Sequence, residues 1–278
     1  MINKLPYIFI FDIDECILGN VLYILGEFNI YENIDNLYPG YKYDYEYDYI
    51  SDLKKGLLRP YFKEFIEFIN KKYKYSEIYL YSTGSYTWVN KVVAPLIAKA
   101  SGVNINKPYF TRENALSNEK SLSKVYKIIF KNLKKKYNNK LLEKNYDNII
   151  NNRLLFIDNL VNNTTTYKNR QIKCSNYDNL IYRNVYENIL KIYGKEILNK
   201  DIVKSFFKSQ KINYINDDIN DLINSDILYY NIIKSKDIRY CEIMNEKSKK
   251  DIFFSILIKK LSNLTNKKII EINKLFII

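Results

Sequence analysis

Two aspartates with a single residue between them follow the first strongly apolar run of the sequence. Asp12 and Asp14 come directly after Tyr7–Phe11. Carboxylates at this spacing on a loop after a strand can face the same side. One can then act as a nucleophile and the other as a general acid and base. A solvated pair of acids on a loop is the ordinary alternative, so the pair indicates a site only in the company of other suitable residues.

Such residues follow two other apolar runs. Ser82 and Thr83 end one run, and Asp158 and Asn159 end another. Hydroxyl and amide groups at a helix start can hold phosphate oxygens, although a plain helix cap is the alternative. Carboxylate and amide oxygens are ligands that suit Mg²⁺. Lys120, which precedes a predicted helix, could supply a positive charge for a phosphate, but taken alone it is one lysine among many.

Composition removes most other chemistries. The 278 residues include no histidine, so Ser-His and Cys-His nucleophile pairs and His-ligated zinc sites are excluded. The three cysteines are too few and too far apart for a zinc cluster or a disulfide framework, which favours a reducing compartment. The 44 basic and 31 acidic residues give a net charge of +13. Neither a P-loop nor a dinucleotide-binding glycine motif is present.

The elements that must position these residues alternate between strands and helices. Short apolar runs at Tyr7–Phe11, residues 78–81 and residues 154–157 are typical of strands buried on both faces. Helical spacing of apolar residues lies between them, at residues 61–72, 88–100 and 122–137. The alternation predicts an α/β fold with a Rossmann-like parallel sheet flanked by helices. In such sheets ligands bind beyond the carboxyl ends of the strands, where the candidate residues would meet.

Two segments depart from this alternation. Residues 41–49 alternate tyrosine with charged residues, which predicts a strand or β-hairpin in an insertion at about residues 31–52. From residue 196 the pattern is helical and polar. We therefore expect one domain over residues 1–195 and a helical C-terminal extension of unknown role over residues 196–278.

The order of the candidate residues resembles that of the haloacid dehalogenase superfamily of phosphatases. Finer motifs are similar to the NLI-interacting-factor branch, which includes the RNA polymerase carboxy-terminal-domain phosphatases. The resemblance covers about residues 5–192. The residues that carry it are Phe11-Asp12-Ile13-Asp14-Glu15, Leu58-Arg59-Pro60, Glu64-Phe65-Ile66, Leu80-Tyr81-Ser82-Thr83-Gly84, Thr111-Arg112-Glu113, Lys120-Ser121-Leu122, Phe156-Ile157-Asp158-Asn159 and Asn176-Tyr177-Asp178-Asn179.

The resemblance implies a Mg²⁺-dependent phosphatase that works through an aspartyl-phosphate, on phosphoserine or phosphothreonine of a protein. It implies that Asp12 attacks phosphorus and that Asp14 transfers the protons. It assigns Mg²⁺ to Asp12, the Asp14 carbonyl and Asp158, with support from Asn159. Charge favours a cation independently, because carboxylates about 5 Å apart repel by about 3 kcal/mol per pair at an effective dielectric of 20.

The resemblance also assigns the phosphate contacts. It implies that Ser82, Thr83 and Lys120 hold the phosphoryl oxygens, with Arg112 as a further anion contact. Two positions depart from the family pattern: Cys16 stands where the branch has threonine, and Ser121 where it has aspartate. A thiol is a weaker donor than a hydroxyl, which puts the catalytic rate in doubt.

Two alternatives follow from these departures and from the charge. The chain could be a weakly active or inactive family member that acts in assembly or as a scaffold, with the C-terminal extension binding a protein partner. Divergent members in insect DNA viruses are linked to nucleocapsid assembly. The second alternative is a nucleic-acid end phosphatase, since residues 120–144 hold nine lysines and one acid. A solvated helix face would show the same pattern, and the acids of residues 44–52 would instead suit a basic phosphopeptide.

We expect no membrane span, because the N-terminal apolar run is cut short by acids. The expected location is intracellular, in cytoplasm or nucleus, or in a virion if the chain is viral.

Overall fold

The computed structural model describes residues 5–21, 36, 45–116, 119–161, 163–180 and 238–263. Its centre is a four-stranded parallel sheet in the order β2-β1-β3-β4. The strands are β1 (Tyr7–Phe11), β2 (Ser76–Leu80), β3 (Leu154–Asp158) and β4 (Gln171–Lys173). This confirms the predicted α/β class, and the first three strands lie where the apolar runs indicated them.

Helices flank the sheet. They are α1 (Tyr45–Asp52), α2 (Phe62–Lys72), α3 (Ala94–Ser101), α4 (Leu122–Lys136), α5 (Asn139–Lys144), α6 (Tyr146–Arg153), α7 (Ile238–Ser248) and α8 (Phe253–Asn263). Short π-helical segments, Leu53–Leu57 and Thr87–Val93, continue α1 and precede α3, and 3₁₀ turns lie at Arg112–Asn114 and Lys168–Arg170. In the described part of the chain, no helix has both the length and the apolar character needed to cross a membrane.

Alternation along β1 divides the core into two layers. Phe9 and Phe11 face one side of the sheet and Ile8 and Ile10 face the other, all fully buried. Because successive side chains of a strand point to opposite faces, a continuously apolar strand must be covered on both. This explains why β1 occupies a central place, between β2 and β3.

The predicted β-hairpin is wrong for the part of the insertion that the structure describes, since residues 45–52 form α1. A tyrosine at every second position is also a tyrosine at every fourth position. Tyr49, Leu53 and Leu57 continue that spacing and are buried against the main core. The spacing therefore suits one face of a helix as well as one face of a strand. Residues 37–44 lie outside the described residues.

The C-terminal extension contributes two helices, α7 and α8, to the described structure. Phe254 of α8 lies among Phe11, Phe62 and Phe65, with ring centroids 5.2 to 6.2 Å away. Leu257 and Leu261 are fully buried in the same core layer. Helix α8 is thus part of the core of the sheet domain. The expected boundary near residue 195 lies outside the described residues.

Candidate active site

The candidate residues meet at the carboxyl edge of the sheet. Asp12 follows β1 directly, Ser82 is the second residue after β2, and Asp158 ends β3. The backbone NH of Asp12 donates to the Ile157 carbonyl (2.9 Å), and the NH of Tyr81 donates to the Phe11 carbonyl (2.8 Å). These bonds extend the sheet pairing into the loops, so the three strand ends hold their polar residues side by side.

A buried lysine joins the first and third strand ends. The Lys120 Nζ lies 2.6 Å from Asp12 Oδ1 and 2.8 Å from Asp158 Oδ2, and only 1% of its side chain is exposed. Its backbone NH donates to the Asn163 carbonyl (3.2 Å), while its carbonyl accepts from the NH of Thr165 (2.9 Å). The loop after β3 therefore anchors Lys120, although 108 residues separate Lys120 from Asp12.

The second strand end holds Asp14. The Ser82 hydroxyl donates to Asp14 Oδ2 (2.9 Å) and accepts from the backbone NH of Gly84 (2.9 Å). Ser82 is buried and Asp14 is half-buried. This hydroxyl, fixed on both sides, orients one carboxylate oxygen of Asp14.

Asn159 presents an oxygen without a partner. Its Nδ2 lies 3.4 Å from Glu15 Oε2 and 3.3 Å from Asn176 Oδ1, and it donates to both. Its Oδ1 is buried and has no hydrogen-bond partner among the described residues. Buried polar atoms in folded proteins are nearly always bonded, so this one is available to a ligand.

Two predicted phosphate contacts lie outside the buried cluster. Thr83 and Arg112 are both exposed, and the Arg112 Nε donates to the Thr83 carbonyl oxygen (3.2 Å). The structure thus places their side chains on the outer surface of the loop after β2. The buried cluster brings together Lys120, Asp12, Asp14, Asp158 and Ser82. Thr83 and Arg112 form the rim next to this cluster.

Burial and charge shift the acidity of the cluster. Burial raises the pKa of Asp12 to about 7, with the neighbouring Asp158 and Asp14 adding to the rise and Lys120 opposing it. Burial also raises the pKa of Asp14, against the hydrogen bond from Ser82. For Lys120, burial lowers the pKa but the two carboxylates outweigh it, so its pKa is raised and it stays charged. A proton can therefore reside on Asp12 near neutral pH.

The donors present fit a hard cation such as Mg²⁺. Among the described residues, no three His, Cys, Asp or Glu side chains form a group able to hold a metal ion on their own. The cluster offers instead two carboxylates, Asp12 and Asp158, and the unpartnered Asn159 Oδ1. These are all oxygen donors, which Mg²⁺ prefers, and it commonly takes only one or two carboxylates.

Cys16 occupies a buried place behind the two aspartates. Its Sγ donates weakly to the Ile157 carbonyl (3.6 Å) and lies 3.5 Å from the Sγ of Cys174. Burial and the neighbouring thiol raise the pKa of Cys16 well above its ordinary value. Both cysteines are free, so Cys16 acts here as a packed thiol that braces the loop only weakly.

Some contacts of the site were beyond sequence reasoning. Asn163 donates through Nδ2 to Asp158 Oδ2 (2.9 Å), and Asn176 donates to Glu15 Oε2 (3.1 Å). In a chain so rich in asparagine no composition signal marks these two residues. Glu15 adjoins Asp14 and could have been suspected from that position alone.

Comparison of this chain with protein-family models, with curated proteins and with solved structures gave no match. The resemblance to haloacid dehalogenase phosphatases therefore depends on the motif residues alone.

Proposed function

We propose that this protein is a Mg²⁺-dependent phosphomonoester hydrolase with Asp12 as its nucleophile. The observation that carries the proposal is the buried cluster in which Lys120 joins Asp12 and Asp158, with Asp14 held by Ser82 beside them. The cluster of three acids and one lysine lies at the edge of a parallel sheet. It suits a negatively charged phosphate substrate that binds together with a cation.

The chemistry follows from the positions of the side chains. An Asp12 oxygen forms a bond to phosphorus as the bond from phosphorus to the leaving oxygen breaks, and Asp14 gives its proton to that oxygen. A water oxygen then attacks phosphorus of the aspartyl-phosphate, and Asp14 takes a proton from that water. The bond between phosphorus and the Asp12 oxygen breaks, which regenerates the Asp12 carboxylate and frees inorganic phosphate. The raised pKa of Asp14 suits a group that must hold a proton at neutral pH.

Other residues hold the phosphoryl group and the cation. We propose that Lys120 and the Ser82 hydroxyl, which lie beside Asp12 and Asp14, contact the phosphoryl oxygens. Asp12, Asp158 and the Asp14 carbonyl, together with Asn159 Oδ1, would hold Mg²⁺. Bound there, Mg²⁺ would neutralise charge on the phosphoryl oxygens, so that an anionic nucleophile can approach phosphorus.

We propose phosphoserine or phosphothreonine of a protein as the substrate. The motif resemblance supports this choice, and the exposed Arg112 and Thr83 at the rim provide polar contacts for a peptide. A reducing intracellular compartment agrees with two free thiols only 3.5 Å apart.

The test is hydrolysis of an aryl phosphate with and without Mg²⁺. We expect Asp12→Asn to lose nearly all turnover, because the amide cannot attack phosphorus, while exposed Asp147→Asn on α6 keeps the wild-type rate. Equal turnover by wild type and Asp12→Asn would remove the proposal.

A scaffold role is the second candidate, favoured by Cys16 at a position where the family braces the loop with a hydroxyl. It predicts that the wild-type protein, folded and with Mg²⁺ present, hydrolyses neither aryl phosphates nor phosphopeptides. Phosphate release above that of Asp12→Asn would exclude this role as the main one.

Action on nucleic-acid ends is the third candidate. Lys127, Lys131 and Lys135 are exposed at every fourth position of α4 and could contact phosphates along one strand. It predicts binding to short DNA that weakens steeply with salt. Binding that is absent at 50 mM salt would exclude it.

A further inference from the structure

Arg59 is a fully buried guanidinium with all of its donors in use. The residue is 1% exposed, and it makes five hydrogen bonds of 2.7 to 3.0 Å. A buried charge of this kind is tolerated only when it is paired and every N–H has an acceptor. The acceptors therefore show what the arginine is fixed to.

Three of the five bonds go to loops at the candidate active site. The Nη1 of Arg59 donates to the carbonyl oxygens of Cys16 (2.9 Å) and Ser175 (3.0 Å), and the Nη2 donates to the Ser175 hydroxyl (2.9 Å). The backbone NH of Arg59 also donates to the Ile17 carbonyl (2.9 Å). Cys16 follows Asp14 by two residues, so Arg59 is fastened to the loop that carries both catalytic aspartates.

The remaining acceptors come from the far end of the described chain. Asp251, between α7 and α8, takes two parallel bonds from Arg59, at 2.9 Å to Nε and 2.7 Å to Nη2. Its Oδ1 also accepts from the backbone NH of Phe253 (3.1 Å), and the ring of Phe253 lies 4.8 Å from the guanidinium carbon. Asp251 is thus the one carboxylate that balances Arg59 among the described residues, and its position is set by the docked helix pair.

We propose that Asp251 is a positioning residue of the active site, acting through Arg59 to fix the loop of Asp12 and Asp14. The bidentate pair sets the plane of the guanidinium, and that plane aims Nη1 at the Cys16 carbonyl. The proposal depends on the proposed function for its effect on catalysis. Its structural half, the coupling of Asp251 to the loop, holds whatever the reaction is.

The consequence for catalysis is a loss of rate more than of binding. Without the carboxylate, the guanidinium can turn away from the Cys16 carbonyl, and Asp12 and Asp14 move relative to each other. Small displacements of reacting groups cost up to about 100-fold in rate. We expect Asp251→Asn to lower kcat for an aryl phosphate by about 10- to 100-fold with KM changed less than about threefold.

The experiment compares three variants of the full chain. Asp251→Asn keeps the shape of the side chain and removes its charge. Asp251→Glu keeps the charge and should restore part of kcat. Glu246→Gln removes an exposed carboxylate of α7, 2.6 Å from Lys249, and should leave both kinetic constants unchanged. Equal kcat for Asp251→Asn and Glu246→Gln would overturn the proposal.

Hydrogen exchange provides a readout that does not need activity. The amides of Cys16, Ile17 and Leu18 donate to the Ile13 carbonyl within the loop. We expect them to exchange at least tenfold faster in Asp251→Asn, while amides of β1 stay protected. Unchanged exchange in the loop would overturn the coupling. If the loop exchanges faster in Asp251→Asn but the wild-type protein has no phosphatase activity, the proposed function is overturned and the coupling stands.

A second variant covers the case in which Asp251→Asn does not fold. Arg59→Lys keeps a positive charge beside Asp251 but cannot reach the carbonyls of Cys16 and Ser175 together. We expect α8 to remain protected from exchange while the loop loses protection and kcat falls. A folded Arg59→Lys protein with a wild-type loop and a wild-type kcat would overturn the proposal.

Discussion

Lys120 carries the electrostatic balance of the site. Its ammonium group is the shared partner of two buried carboxylates, and the rings of Tyr81 and Phe156 lie 5.7 and 5.4 Å from it. An ammonium group with so little water around it stays charged because the carboxyl groups of Asp12 and Asp158 contact it. The folded state therefore depends on this residue as much as the proposed chemistry does.

Lys120→Met should destabilise the metal-free protein. The substitution keeps most of the volume but leaves the carboxylates of Asp12 and Asp158 buried without their counter-charge. We expect the free energy of unfolding at neutral pH to fall by about 3 to 5 kcal/mol, measured by urea titration. Lys131→Met, on the exposed face of α4, should change it by less than about 0.5 kcal/mol. Similar urea midpoints for both variants would contradict the prediction.

The pKa of Asp12 gives the stability of the metal-free protein a definite pH dependence. The pKa of Asp12 is about 7 in the folded state, which is above the ordinary aspartate value. At pH values between these two pKa values, the folded state therefore binds more protons than the unfolded state. The stability from this group is therefore complete below about pH 4 and is lost as pH rises towards 7. The loss is at most about 4 kcal/mol, at 1.36 kcal/mol per pKa unit.

Asp12→Asn removes the titrating group and tests this sign. In the presence of a chelator, we expect the unfolding free energy of the variant to fall less than that of wild type between pH 4 and 7. The raised pKa of Asp14 acts in the same direction in both proteins and cancels in the comparison. Parallel pH curves would show that Asp12 titrates near its ordinary value in the folded state.

At the scale of elements, α8 completes the core around β1. The ring of Phe254 stacks on Phe65 at 5.2 Å and meets Phe62 edge-on at 5.5 Å. Lys72 Nζ donates to the carbonyl oxygens of Leu261 and Ser262, where α8 ends. These contacts fasten both ends of the helix to α2.

Phe254→Ala should therefore unfold the domain at lower denaturant. Removing a buried aromatic ring costs about 3 to 5 kcal/mol, because the cavity left behind is refilled only in part. We expect that loss in chemical denaturation followed by circular dichroism. Ile256→Ala, two residues away on the exposed side of α8, should cost less than about 1 kcal/mol. A small effect at Phe254 would mean that α8 contributes little to folding.

The sequence predicts those elements whose signal is local. Each of the first three strands contains most of a continuous apolar run that is followed by a polar residue, so the strand and its site residue can be predicted together. The prediction of a β-hairpin at residues 45–52 was wrong, because tyrosines at every second position also recur at every fourth position, which suits one face of a helix. The contact of Arg59 with Asp251 spans 192 positions, and no local pattern marks either partner. Asn163 could not be predicted either, because the chain is so rich in asparagine that one more asparagine is not a signal.

At the scale of the whole molecule, residues 238–263 belong to the sheet domain. A fragment of residues 1–195 would expose Phe11, Phe62 and Phe65 and leave Arg59 without Asp251. We expect this fragment to be insoluble or to lack a cooperative unfolding transition, whereas the full chain unfolds cooperatively. A soluble 1–195 fragment with wild-type phosphatase activity would show that the C-terminal helices are dispensable.

The distant pairing of Arg59 also has a consequence for synthesis on the ribosome. Arg59 is made early, and its partner emerges only after 192 further positions have been translated. Until then the guanidinium has no carboxylate to set its plane, and the loop with Asp12 and Asp14 lacks the support that passes through Arg59. On the proposed function, a chain that stops before residue 251 would therefore have at most the lowered activity expected of Asp251→Asn, even after its sheet has formed.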